Sequence, residues 1–149
     1  MQVGSLTLNR LAWKLWQQFT QAHVRAYRLS GGRIAGSYRG CPVLLLDHVG
    51  RRTGRRHTSP LIYARDRDDL VIVASKGGSH KDPLWWLNLK EQPRTTVQVG
   101  SEKREVVARQ ATPEEKQRLW PVLVGIYAPY ESYQQRSSRD IPVIVLERA

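Results

Sequence analysis

Apolar positions change their spacing several times along the chain, and each change marks an element. Over residues 6–29, Leu8, Leu11, Ala12, Leu15, Trp16, Phe19, His23 and Tyr27 recur at helical spacing and predict one amphipathic helix. Gly31-Gly32 ends it, because glycine accepts the left-handed conformation that closes many helices. The glycine-rich stretch 30–42 reads as a loop. Val43–Val49 is a short apolar run. Thr58–Arg65 and Leu70–Ser75 flank Asp66-Arg67-Asp68-Asp69, which reads as a hairpin turn. Asp82 is the predicted N-cap of a helix running from Pro83 to about Gln92. Strands follow at Thr95–Val99 and Arg104–Arg109, around the turn Gly100–Lys103. Thr112-Pro113-Glu114-Glu115 has the form of a capping box, and Pro121 predicts a kink in the helix it opens. Pro129 separates that helix from a segment with Tyr130 and Tyr133, and Pro142–Glu147 is a closing strand.

Six strands joined mostly by short turns, with two or three helices between them, predict an α+β (mainly β) fold. The architecture that fits is a six-stranded antiparallel barrel with helices packed outside. Pattern alone leaves other α+β folds open. At 149 residues the chain suits a single domain, divided here into an N-terminal helix and linker (1–32) and a barrel (33–149). Apolar content of 40% with 25% charged residues argues against a disordered chain. The longest apolar run stops at Asp47, too short to span a bilayer. Arg10, Trp13, Lys14 and Gln17 interrupt the place where a secretory signal would be continuously apolar, so a cytoplasmic location is expected. Cys41 is the only cysteine, which excludes an internal disulfide.

The net charge of +11 is unevenly spread. Residues 1–60 hold ten basic residues against Asp47 alone, which points to an anionic partner. The densest cluster is Gly50-Arg51-Arg52-Thr53-Gly54-Arg55-Arg56-His57. Arginines there can grip phosphate or carboxylate bidentately, and the turn exposes backbone amides; a merely solvated loop is the alternative. Ala74-Ser75-Lys76-Gly77-Gly78 offers a hydroxyl and a cation on a flexible backbone, though it lacks the order of a phosphate-binding P-loop. Trp85 and Trp86 point about 100° apart on a helix, so one can be core while the other lines a groove. Tyr127, Tyr130 and Tyr133 bring three hydroxyls near Pro129. His23, His48, His57 and His80 show no metal-ligand spacing, and no RNA-recognition, helix-turn-helix or zinc-finger signature accompanies the charge, so a specific nucleic-acid partner is not expected.

Taken in order, these segments resemble a known family. Pro42–Leu46, Gly50-Arg51-Arg52-Thr53-Gly54, Ser59-Pro60-Leu61, Ala74–Gly78, Pro83–Leu89, Tyr127–Gln134 and Asp140–Val143 are similar to the deazaflavin-dependent nitroreductases of actinobacteria. The likeness runs from about residue 40 to the end. It implies a split β-barrel of the flavin-reductase and pyridoxamine-oxidase type. It implies the deazaflavin coenzyme F-420, with its flat ring, ribityl chain, phosphodiester and oligoglutamate tail. The reaction implied is hydride transfer to an electrophilic acceptor such as a quinone, nitroaromatic or unsaturated lactone.

By the same resemblance, Arg51, Arg52, Thr53, His57, Thr58, Ser59 and Pro60 match positions around the phosphate and tail, and Arg55 and Arg56 add to the same polyanion grip. Leu61, Ile62, Val73, Ala74, Ser75 and Lys76 match the ring and ribityl positions. Leu84, Trp85, Trp86, Leu87 and Asn88 match the wall of the ring slot. Ser75, Tyr127, Tyr130 and Tyr133 match the acceptor side, where hydroxyls orient the acceptor and supply a proton. His57 stands where relatives often carry arginine, and Ile62 where some carry tyrosine. A barrel of the same frame loaded with flavin mononucleotide, haem or lipid is the alternative function. A homodimer is compatible with the sequence. So is peripheral contact with the inner face of the cell membrane through the N-terminal helix, against the simpler reading of a helix that covers the barrel or a partner subunit.

Overall fold

The computed structural model describes residues 20–149. The stripe from Leu8 to Phe19 lies outside them. Residues 20–30 form the described part of helix α1, which ends at Gly31 and Gly32, both left-handed (φ 63° and 82°). Strands β1 (Ser37–Tyr38), β2 (Cys41–Val49), β3 (Arg56–Ile62), β4 (Ala64–Asp66) and β5 (Asp69–Val73) follow. Helix α2 (Leu84–Glu91), strands β6 (Arg94–Val99) and β7 (Glu102–Gln110), helices α3 (Pro113–Ile126) and α4 (Pro129–Arg136), and strand β8 (Val143–Arg148) complete the order.

All pairings are antiparallel, in the order β1-β2-β6-β7-β8-β5-β4, with β3 also on β2. One topological fact sets the shape. β3 pairs with β2 and β4 pairs with β5, yet only Tyr63 separates them. A chain can pass between the two ends of a strand path in one residue only if the sheet curls until those ends meet. The result is a curled half-barrel with four helices against it.

Among the described residues eight strands are present where the hydrophobic pattern predicts six. β1 is two residues long and lies in the glycine-rich stretch, so it carries no periodicity to detect. The single run expected at Thr58–Arg65 is split at Tyr63, where the chain changes edges. A second correction concerns α2. Pro83, not Asp82, is its N-cap, with no side-chain cap bond. The Asp82 carboxylate is instead engaged by Arg139 (3.1 Å) and Lys90 (3.8 Å). The turn between β6 and β7 is shorter than expected, because Val99 already pairs with Glu102. The capping box of α3 forms, with Thr112 Oγ1 accepting from the Glu115 amide and Glu115 Oε1 from the Thr112 amide. That helix continues through Pro121.

The unbroken apolar runs have a simple cause: the sheet is covered on both faces. Leu44 and Leu46 of β2, Leu70 and Ile72 of β5, and Ile144 and Leu146 of β8 point into the barrel, with Trp85, Trp86 and Leu89 of α2. Val71, Val73 and Val143 face outward under Leu119, Leu123 and Tyr130 of α3 and α4. Val43 and Leu45 pack on Tyr27 of α1. Tyr27 is 1% exposed and pins the helix: its hydroxyl donates to Val43 O (2.9 Å) and accepts from the Gly100 amide (2.8 Å). Burying a ring of this size contributes about 2–3 kcal/mol.

Candidate functional site

A cavity of about 460 Å³ opens between α1, the start of β2, the end of β3, and α4. It is lined by Thr20, His23, Tyr38, Val43, Pro60, Leu61, Ile62, Ser75, Gly77, Tyr127, Tyr130 and Tyr133. Its size suits a small flat molecule. The lining contains no lysine, arginine or carboxylate among the described residues, and its polar atoms are mostly hydroxyls.

The tyrosines are held as a set. Pro129 starts α4 after a break at Tyr127-Ala128, which brings Tyr127 back over the helix. The Tyr127 and Tyr133 hydroxyls are 3.2 Å apart, and Tyr127 meets the Tyr130 ring edge-on at 4.9 Å. Tyr133 as a hydrogen-bond partner, then burial, pushes the Tyr127 hydroxyl up to about 12. Burial raises Tyr130 as well. The Tyr127 and Tyr130 phenols are therefore neutral throughout the physiological range.

Ser75 reaches this cluster because the turn after β5 packs on α4. Lys76, Gly77 and Gly78 are consecutively left-handed (φ 46°, 63° and 84°). A Cβ on Gly78 would stand 3.0 Å from the Tyr133 backbone, so glycine there permits the close approach. Arg139 clamps the loop: Nη2 donates to Ala74 O and Ser75 O (2.9 and 3.0 Å), Nε to Ser79 O (2.9 Å), and Nη1 to Asp82 (3.1 Å).

The arginine cluster forms the tip of the β2–β3 hairpin. Gly50 N donates to Arg55 O and Gly54 N to Gly50 O, both at 2.8 Å. A Cβ on Gly50 would meet Thr53 Oγ1 at 2.5 Å, and that hydroxyl accepts from the Arg55 amide. Arg51, Arg52, Arg55 and Arg56 are all exposed, and none makes an ion pair among the described residues. Behind the tip lies a buried polar chain. The Arg51 amide donates to Asn88 Oδ1 (3.1 Å), Asn88 Nδ2 is 2.9 Å from His48 Nδ1, and His48 Nε2 is 2.9 Å from Ser59 Oγ. Burial, reinforced by the stacked His57 ring, lowers the His48 pKa to about 4.

Of the residues singled out from the sequence, Pro60, Leu61, Ile62, Ser75, Tyr127, Tyr130 and Tyr133 converge on the cavity. Arg51, Arg52, Thr53, Arg55, Arg56 and His57 lie at the other end of β3, roughly 20 Å along the strand. Ser59 and Asn88 belong to the buried chain behind them. The Thr58 hydroxyl is committed elsewhere, donating to Asp47 (2.7 Å) and accepting from Arg28 (3.2 Å), which docks α1. Val73 and Ala74 are buried in the two cores, Leu84 is exposed, Leu87 is half-buried, and Lys76 is exposed without an ion pair among the described residues. Trp85 and Trp86 are both core, 7% and 5% exposed, so the expected division of the pair between core and groove does not occur. Tyr38 and Arg139 escaped the sequence reading, while His23 and His48 were weighed there only as metal ligands, His23 also as part of the α1 stripe. For His48 a signal existed, since it continues the alternation Leu44, Leu46 on the inward face. Tyr38 and Arg139 had none, because contacts distant in sequence place them.

No group of three potential ligands for a metal occurs among the described residues. The profile of the F420H(2)-dependent quinone reductase family matches residues 19–148. An F420H(2)-dependent quinone reductase of Mycobacterium tuberculosis is 41% identical over 135 residues, spanning 88% of this chain and 91% of that protein. The structure of an F420-H2 dependent reductase aligns with a TM-score of 0.66 at 34% identity, over 71% of this chain and 94% of the other. A second structure, described as a domain-swapped dimer, aligns at 0.69 and 30% identity over 90% and 98%. With the profile covering the arginine hairpin, the tyrosine cavity and the strand between them, the chain belongs to the F420H(2)-dependent quinone reductase family.

Proposed function

We propose that this protein reduces quinones, using reduced coenzyme F-420 as the donor. One observation carries the reading: a single strand, β3, joins an uncharged, hydroxyl-lined cavity to a hairpin of four exposed arginines without ion-pair partners among the described residues. That layout fits a ligand with a flat end and a polyanionic end. Arg51, Arg52, Arg55 and Arg56, with His57 and Ser59, would hold the phosphodiester and carboxylates. Leu61, Ile62, Ser75 and Lys76 would hold the ring and ribityl chain. The packing of Trp85 and Trp86 supports a role in backing that slot from the core. When bound, the reduced coenzyme supplies a hydride.

The chain's own residues do the rest. Val43, Leu61, Ile62 and the tyrosine rings exclude water from the acceptor end. Ser75 and the Tyr127–Tyr133 pair, through whichever of its two hydroxyls does not donate to the other, donate hydrogen bonds to an acceptor oxygen, stabilising charge that develops on it. The proton the product needs comes from this hydroxyl set, passed across the Tyr127–Tyr133 contact and replaced from solvent. We further propose a split barrel of the flavin-reductase type, with α1 as its cover, in a cytoplasmic protein. No helix among the described residues is long and apolar enough to cross a membrane. Contact of residues 8–19 with a membrane surface is tested by low-salt binding to anionic vesicles, and self-association by sedimentation.

The central test is titration with F-420 followed by ring fluorescence, with flavin mononucleotide in parallel, then oxidation of the reduced coenzyme on adding menadione. Saturable F-420 binding and quinone-dependent oxidation are expected. Preference for flavin mononucleotide would sink the reading.

A further inference from the structure

The buried chain behind the hairpin has a direction that one atom fixes. A backbone N–H can only donate, so the Asn88 atom 3.1 Å from the Arg51 amide is its oxygen. The other amide atom, Nδ2, is then a donor, and His48 Nδ1 at 2.9 Å must accept from it. The proton of a neutral imidazole therefore sits on Nε2, which donates to Ser59 Oγ at 2.9 Å. A serine hydroxyl that accepts this bond keeps its own proton for another partner. His48 is 6% exposed, faces the His57 ring at 5.4 Å, and has Asp47, Arg56, Arg94 and Glu105 around its outer side. Its low pKa, set mainly by burial, keeps the imidazole neutral and the chain of donors intact.

We propose that His48 is a positioning residue: it orients Asn88, whose oxygen ties the arginine hairpin to α2, and through Ser59 it presents a hydroxyl proton to an anionic oxygen of the ligand held there. This rests on the reading above that the hairpin holds the coenzyme's phosphodiester. The strands alone would not give this coupling. Ser59 pairs with Leu46 in the ladder, and His48 lies diagonally across from it, so only the side chains connect the two. The hairpin tip is otherwise fixed by its own turn bonds, and Asn88 is its hydrogen-bonded tie to a helix.

The test is a double-mutant cycle read as F-420 affinity by fluorescence, with a melting curve for each variant. Ser59→Ala in the unchanged chain is expected to weaken binding about tenfold, the loss of one hydrogen bond to a charged group. In the His48→Phe background the same change is expected to cost less than about twofold, because the hydroxyl is no longer oriented. His48→Gln, whose amide can accept from Asn88 and donate to Ser59, is expected to restore both the affinity and the sensitivity to Ser59→Ala. A nitrogen-15 spectrum of the protein without ligand supplies a readout independent of binding. It should show His48 as the neutral Nε2–H form down to about pH 5. Additive losses across the cycle, or an Nδ1–H form, overturn the proposal while leaving the function standing. Failure of the unchanged chain to bind F-420 overturns both.

Discussion

The two ends of β3 are built on opposite principles. At the Arg56 end the hairpin presents its charge locally: Gly50 through Arg55 close on themselves with two backbone bonds, one amide bond to Asn88 ties the tip to α2, and four guanidinium groups stand in solvent. At the Ile62 end nothing is local. The cavity needs Tyr38 from β1, Ser75 and Gly77 from the turn after β5, and three tyrosines from α4 and the residues before it, all converging on Leu61 and Ile62. Charge can be presented by a short exposed loop because attraction acts at a distance and tolerates motion. An uncharged slot works only if its walls are fixed relative to each other, which takes packed elements. Stability and ligand grip should therefore separate between the two ends.

Arg139→Met tests this most severely. It removes four hydrogen bonds from the loop that carries Ser75, three of them to backbone oxygens. The guanidinium is mostly buried, so a loss of about 3–5 kcal/mol in urea denaturation is expected, together with loss of turnover. An unchanged urea midpoint would remove the claim that this end depends on tertiary clamping.

Acid should act next, and at the hairpin end. The His48 pKa falls from 6.5 to about 4 on folding. Between these values the unfolded chain binds a proton that the folded chain refuses, so stability falls as pH drops through this window. At about 1.4 kcal/mol per unit the full effect is roughly 3 kcal/mol. Urea midpoints at neutral pH and near pH 4.5, compared with those of His48→Gln, measure it. An equal acid loss in the variant would assign the effect elsewhere.

Replacing Arg51 and Arg52 together by alanine should weaken F-420 binding about 100-fold, near 2.7 kcal/mol, and should flatten its salt dependence. The melting temperature should hold, since both side chains are exposed and make no ion pair among the described residues. A melting shift of several degrees would break the contrast from this side.

The smallest effect is expected from Tyr133→Phe. It deletes the 3.2 Å hydroxyl contact with Tyr127 while keeping the ring. A fall of about tenfold in kcat with menadione, with F-420 affinity unchanged, would place the hydroxyl in proton delivery rather than in holding the coenzyme.

How legible each end was in the sequence follows from the same contrast. The hairpin could be read directly, because four arginines within six positions, in a glycine-containing turn between two apolar runs, are a local signal. Tyr127, Tyr130 and Tyr133 were legible as candidates from their spacing around Pro129, and Ser75 from the polar turn after an apolar strand. Their meeting was not legible, since it depends on Gly78 admitting the backbone of Tyr133 and on Arg139 reaching back to Ala74. Trp85 and Trp86 show the limit from the other side. Helical geometry separates adjacent side chains, but a barrel interior wide enough to take both rings buried both. Asp82 is similar: its position suited a cap, and a distant guanidinium took the carboxylate instead.

By itself the sequence determined the mainly β class, the C-terminal end of α1, the positions of α2 and α3, the two glycine-containing loops and the kinds of chemistry available. These depend on periodicity, on conformational freedom at single residues and on side-chain type, all of which act over a few positions. Tertiary structure alone decided that one apolar run would break at Tyr63 to border both ends of the sheet. It decided that Tyr38 would join the tyrosines, and that the inward-facing His48 would meet Asn88 on one side and Ser59 on the other. Each of these outcomes comes from closing the sheet on itself, which brings together residues whose separation along the chain carries no local trace.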